Sequence, residues 1–112
     1  PRDEGVVELI VEMGSSAREV GRTSLQALLA LDEDLARSVA VADDRVDRLE
    51  LRIFEELFGS AGTDPDRLPW AAQIIGLSRR IERYADHGVD IAEQAVFAVT
   101  GINVELMGND PA

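Results

Sequence analysis

Gly59-Ser60-Ala61-Gly62-Thr63-Asp64-Pro65-Asp66 is the clearest loop in this chain, dense in residues that favour turns. What lies on either side of it decides the fold. Upstream, Leu35, Val39, Ala42, Val46, Leu49, Ile53 and Leu57 recur at threes and fours, the period that gathers apolar side chains on one helical face. Gly59 reads as the residue just past that helix, and Asp32 as its N-cap, with Glu33 and Asp34 in the first turn where the helix dipole favours negative charge. Downstream, Pro69 fits a first turn but not an interior, so another helix begins near Asp66 or Leu68. It carries Ile74, Leu77, Ile81, Tyr84 or Ala85, Gly88, Ile91 or Ala92, Ala95 and Val99, and Gly101 closes it. Nearer the N-terminus, Val6, Ile10, Met13, Ala17, Val20, Ser24, Ala27 and Leu31 mark a third pattern of the same period. Gly14 and Gly21 weaken that helix by roughly 1 kcal/mol each, which close packing against a neighbour would justify.

No segment alternates with strand period. Helices over residues 6–31, 33–58 and 67–100 predict an all-α fold, an antiparallel three-helix bundle running up-down-up. We expect a single domain over residues 1–112, its tail 102–112 frayed by Gly108, Asn109 and Pro111.

Composition narrows the function. With 112 residues, 46% of them hydrophobic, the chain can bury one ordinary core. It has no cysteine, which excludes disulfides, thiolate metal sites and cysteine nucleophiles. Against 22 acidic residues stand 11 basic ones, a net charge of −11 that repels nucleic acid and anionic lipid and favours cations or basic partners. No apolar run approaches the roughly 20 residues that span a bilayer, and no signal peptide is visible, so cytoplasm is the default expectation without membrane insertion. A first residue of Pro1 instead of Met suggests a fragment or a processed chain.

Two acid pairs stand out. Asp43 and Asp47 on the second helix, and Glu82 and Asp86 on the third, are each one turn apart on a shared face, where like charges repel unless solvent or a cation relieves them. Each pair directly follows core positions, Ala42 and Val46 or Ile81 and Ala85, and so flanks the seam. Counting outward from the loop at 1.5 Å per residue puts the two pairs within roughly 5 to 8 Å of one height on neighbouring helices. Four such carboxylates suit hard or borderline cations. The competing reading is ordinary solvated acids in an acidic chain.

The third helix reads Arg80-Ile81-Glu82-Arg83-Tyr84-Ala85-Asp86-His87-Gly88-Val89-Asp90-Ile91-Ala92-Glu93, then Phe97-Ala98-Val99-Thr100-Gly101. It closely resembles the signature of the PhoU family, and Asp43-Asp44-Arg45-Val46-Asp47-Arg48-Leu49 resembles that family's second-helix segment. The likeness covers nearly the whole chain as one repeat, the C-terminal one by its ending, where the family has two. It implies three-helix bundles, a transition-metal ion (iron, manganese or zinc) at the paired acids, and repression of the phosphate response. Carried over, Asp43, Asp47, Glu82 and Asp86 are metal-ligand candidates. Asp90, where the family often has Asn, is a fifth. The implied partners are a sensor histidine kinase and the ATPase of a phosphate transporter. An apolar face left where a second repeat would dock predicts a homo-oligomer.

Other residues read more plainly. His87 is a solvent-facing helical histidine, Arg79, Arg80 and Arg83 pair with nearby acids, Trp70 plugs a bundle end, and Tyr84 packs at the seam. The chain has no Gly-rich phosphate loop, no Ser/His/Asp arrangement and no Glu-x-x-His signature of a di-iron oxidase, so we expect no enzyme. The alternatives to a metal-binding adaptor are a metal-free helical interaction domain and the cytoplasmic tail of a sodium–phosphate carrier.

Overall fold

A computed structural model of the chain describes residues 3–61 and 64–106, with the side chains of residues 60 and 61 outside that description. Three helices make the fold: α1 (Glu4–Ala30), α2 (Glu33–Ala61) and α3 (Leu68–Thr100). A single 3-10 turn at Pro65–Arg67 leads into α3. Every pair of helices is in contact, and no strand occurs among the described residues. At 1.5 Å per residue α3 alone spans roughly 50 Å, which sets the 53 Å long axis of the molecule.

The helix ends follow local chemistry. The Asp3 carboxylate accepts hydrogen bonds from the backbone N–H groups of Gly5 and Val6, at 2.9 and 3.3 Å, and so caps α1. Asp32 does the same for α2, accepting from the Leu35 N–H at 3.0 Å, as its sequence position predicts. Gly101, at φ 74°, ends α3 in the left-handed conformation that a residue without Cβ adopts freely. Leu31 closes α1 at φ 51° without that freedom; it is exposed, and belongs to the turn instead of the core face expected of it. Gly59 does not end α2, which runs on to Ala61. A glycine ends a helix only where a positive φ is needed, and Gly59 is not among the described residues that have one. Of the tail, residues 102–106 lie along the bundle, where the Leu106 N–H donates to Glu93 at 2.9 Å and Val104 and Leu106 pack on the core. Residues 107–112, included in the expected frayed tail, lie outside the described residues.

The core is built from Val6, Met13, Val20, Val39, Val46, Ile53, Leu57, Val89 and Val96, all essentially inaccessible to water. On α3 the register with Ala85 and Ala92 is the buried one. Tyr84 is half-exposed, and Leu77 and Val99 point outward, contrary to the sequence reading. For Tyr84 the reason is the close approach of α1 and α3. A Cβ at Gly88 would stand 2.8 Å from Val20 Cγ1 and 3.3 Å from the Gly21 backbone, and one at Gly21 would stand 2.6 Å from the Tyr84 hydroxyl. Tyr84 therefore lies over Gly21 while its neighbour Ala85 enters the seam. Gly14, by contrast, has open space beyond its Cα, so close packing explains Gly21 and not Gly14. At the loop end Trp70 is half-buried against the core. The Arg67 guanidinium sits 5.2 Å from its ring centre and 3.6 Å from Asp3, tying α3 to the start of α1.

Two substitutions separate these roles. Gly88→Val is expected to lower stability by about 1–3 kcal/mol, the usual cost of overpacking. Gly14→Ala is expected to raise it by up to about 1 kcal/mol through helix propensity alone. Urea unfolding of the two variants measures both, and equal effects would refute the close-packed α1–α3 crossing.

Candidate functional site

The inner side of α2 runs through Ala36, Val39, Asp43, Val46, Glu50, Ile53 and Leu57 at alternating steps of three and four, with Glu50 half-buried and its neighbour Leu49 buried as the sequence predicts. Two of those seam positions are acids. Asp43 is only 4% exposed, so it lies in the seam itself, and Ala42, assigned there from the sequence, is half-buried beside it. Its Oδ1 is buried and makes no hydrogen bond among the described residues. A carboxyl so placed resists ionisation: Asp43 is pushed up from 3.8 to about 7, by burial first and then by the negative charges of Asp47, Asp86, Glu82 and Asp44. Asp47, one turn on, is exposed along its outer edge, yet it too rises to about 6, through burial of its carboxyl and the charges of Glu82, Asp86 and Asp44.

The two helices thus bring Asp43, Asp47, Glu82 and Asp86 to one face, as the counting of helix heights predicts. Asp90 is exposed, and its charge is not among those acting on Asp43 or Asp47. His87 is exposed as well. Asp44 turns outward and pairs with Arg48 at 3.1 Å. Of the arginines on α3, Arg79 reaches the acids through its charge on Glu50, and Arg80 and Arg83 are exposed.

Glu50 is the residue that the sequence reading missed. Its carboxyl is within hydrogen-bonding reach of the Glu82 carboxyl and the Ser78 hydroxyl. It is pushed up to about 7, by burial first and then by the hydrogen bond to Glu82 and the charge of Glu82, with Arg79 and Ser78 pulling it back. Its Oε2 is buried without a hydrogen bond. The missed signal was the heptad. Asp43 and Glu50 are seven apart on α2, and Ala71, Ser78, Ala85 and Ala92 are seven apart on α3, buried and small. Stepping by sevens in opposite directions from the Glu50–Ser78 contact brings Asp43 level with Ala85. This register sets each acid of the seam level with a small residue on α3, which leaves room for a carboxyl where a leucine would close the space.

As the side chains stand, no three His, Cys, Asp or Glu groups among the described residues converge closely enough to hold a metal ion. The donors themselves fit a hard or borderline cation, since all are carboxylate oxygens and Asp43 Oδ1 and Glu50 Oε2 are buried without a hydrogen bond.

Comparison with known proteins decides the family. Residues 10–95, which hold every acid of this face, match the PhoU domain. The chain belongs to the PhoU family. It is 34% identical over 104 residues to a phosphate-specific transport system accessory protein PhoU homolog of Pseudomonas putida, and 35% over 104 residues to that of Pseudomonas aeruginosa. To the homolog of Clostridium acetobutylicum it is 30% identical over 101 residues. These alignments take in 93%, 93% and 90% of this chain but only 40%, 43% and 46% of the respective relatives, so it spans less than half the length of each. No solved structure matches it significantly.

The acid face of this PhoU chain makes its stability depend on pH. Folded, Asp43 keeps its proton up to about pH 7; unfolded, it loses it near 3.8. The folded state therefore binds more protons in that window, and stability falls as pH rises through it. A carboxyl moved from 3.8 to about 7 corresponds to on the order of 4 kcal/mol. After treatment with chelator, the melting temperature is expected to fall between pH 4.5 and pH 8, and Asp43→Asn to flatten part of that fall, the rest belonging to the raised carboxyls of Asp47 and Glu50. An equally steep fall in the variant would assign the effect to the net charge of the whole chain.

Proposed function

We propose that this chain is a non-enzymatic regulator of phosphate uptake and phosphate-starvation signalling. In this reading it is a metal-binding adaptor that works in the cytoplasm between the ATPase of a phosphate transporter and a sensor histidine kinase. The observation that carries it is the buried Asp43 carboxyl, its Oδ1 without a hydrogen bond among the described residues, set among Asp47, Glu82 and Asp86 on one face of a PhoU-family bundle. The relatives described above are named as accessory proteins of a phosphate-specific transport system, which supports the regulatory part. No helix among the described residues is long and apolar enough to cross a membrane, in keeping with a module that reaches a transporter from outside the bilayer.

In this reading Asp43 and Asp47 from α2 and Glu82 and Asp86 from α3 hold an iron, manganese or zinc ion, and exposed Asp90 lies one turn further out along α3. The bound ion would supply the positive charge that lets the four carboxylates ionise together. Asp43 would offer a donor from the core side of the face, and exposed Asp47 one from its outer edge. Held there, an ion would change the charge of this face toward a partner. One observation favours a second reading, a metal-free interaction domain: the acids do not converge on a point as their side chains stand. Self-association is part of either reading, since Leu25, Leu29 and Phe97 are apolar and exposed.

Elemental mass spectrometry of the purified chain and of its Asp47→Asn, Asp86→Asn variant tests the adaptor reading. Iron, manganese or zinc near one or more equivalents, lost in the variant, is the expected result. No metal in either protein after reconstitution would favour the metal-free domain. In a separate measurement, sedimentation at high concentration is expected to reveal a species heavier than one chain, and a clean monomer would refute self-association.

A further inference from the structure

We propose that Glu50 is a further cation donor on this face, placed one turn beyond Asp47 and bridging to Glu82. The proposal rests on the metal-binding reading above and names a residue outside its paired acidic motifs. Glu50 follows Asp47 by three residues and Asp43 by seven, so all three lie along one stripe of α2, roughly 10 Å from first to last.

Three features of the side chain point to a donor instead of a surface acid. First, Glu50 occupies a seam position, half-buried, between Val46 and Ile53, which are fully buried. Buried apolar residues fill the same heptad position at Ala36 and Leu57, whereas here an acid stands half-buried beside the buried Leu49. Second, its Oε2 is buried and makes no hydrogen bond, leaving an oxygen with lone pairs and no partner, as at Asp43 Oδ1 on the same stripe. Third, its carboxyl meets that of Glu82, an expected ligand from the other helix. Ionised carboxylates are acceptors only, so two in contact need a proton or a cation between them. The Ser78 hydroxyl, which donates to the Ile75 carbonyl at 2.9 Å, has a single proton and cannot also serve Glu50 fully. Arg79 acts on Glu50 by charge, and its effect is smaller than that of Glu82.

The site then runs from Asp43 to Glu50 along α2 and from Asp86 to Glu82 along α3. Such a stripe offers donors over a longer reach than two acid pairs alone, and favours cations that accept many oxygens.

The test titrates Mn2+ into the chelator-treated full chain by calorimetry, comparing wild type with Glu50→Gln and Glu55→Gln. Glutamine at 50 keeps the volume and a hydrogen bond to Glu82 but removes the anionic donor, while Glu55→Gln removes one charge from an exposed position of the same helix. The expected result is a Kd for Mn2+ raised tenfold or more by Glu50→Gln and less than twofold by Glu55→Gln. Thermal melting without metal checks folding, and Glu50→Gln is expected to melt no lower than wild type. Wild-type binding with Glu50→Gln within twofold would overturn the role of Glu50 and leave the four-acid site standing. A wild type that binds neither Mn2+ nor, under anaerobic conditions, Fe2+ would overturn both.

Discussion

The fold carries a carboxyl in its core at Asp43, and much else follows from how the bundle accommodates it. An apolar residue between Val39 and Val46 would stabilise the seam at once, by the roughly 1.5–3 kcal/mol that a fully buried aliphatic side chain contributes. An acid there must keep its proton or find a positive charge, because burial disfavours the ionised form. Below neutrality the proton suffices. Above it, the charges of Asp47, Glu82 and Asp86 add to the desolvation, and no basic group is among the causes acting on Asp43. The bundle is therefore arranged so that its second helix is least comfortable, at neutral pH, where its acids meet those of the third.

That discomfort is tolerable because the opposite side of the molecule is tightly joined. α1 and α3 approach closely enough at Gly21 and Gly88 that neither could carry a Cβ without displacing a neighbour. Val20, Val89 and Met13 are fully buried around the crossing, and the contact removes water from both helices along most of their length. The α2–α3 seam is furnished differently. The small residues Ser78 and Ala85 face it, and the packing lost there is the space in which carboxyl groups can stand. One bundle thus divides its work: the α1–α3 contact supplies rigidity, and the α2–α3 contact supplies a polar, adjustable face held at fixed height.

How far this was legible in the sequence depended on which property was asked for. Helix number, order and direction came directly from spacing, and Asp32, Pro69 and Gly101 marked ends that the structure keeps. The co-location of Asp43 and Asp47 with Glu82 and Asp86 was also legible, since it needs only the rise per residue and the position of the loop. Depth was not. The apolar pattern on α2 fits two registers, through Ala42 or through Asp43, and a search for hydrophobic residues selects the first. Only the contact with α3 decides that the seam passes through the acids. For the same reason Glu50 was invisible: it looks like a surface glutamate between two leucines, Leu49 and Leu51, until its heptad partner Ser78 is known. On α3 the spacing likewise leaves two registers open, through Tyr84 or through Ala85, and only the close approach of α1 decides for the alanine.

The depth of Asp43 also bears on how a change of charge at this face could be felt elsewhere. Its backbone is continuous with Val39 and Val46, whose side chains are locked in the core, so a shift of its carboxyl cannot be absorbed by a solvent-exposed rotamer as it can at Asp47. Close-packed interiors transmit small displacements instead of damping them. A change in charge at the four acids therefore has two routes outward: directly, through the potential above the surface, and mechanically, through α2 relative to α3. The first reaches only a partner docked over the acids and weakens with salt. The second reaches both ends of the two helices, including the loop end where Trp70 and Arg67 tie α3 to the start of α1.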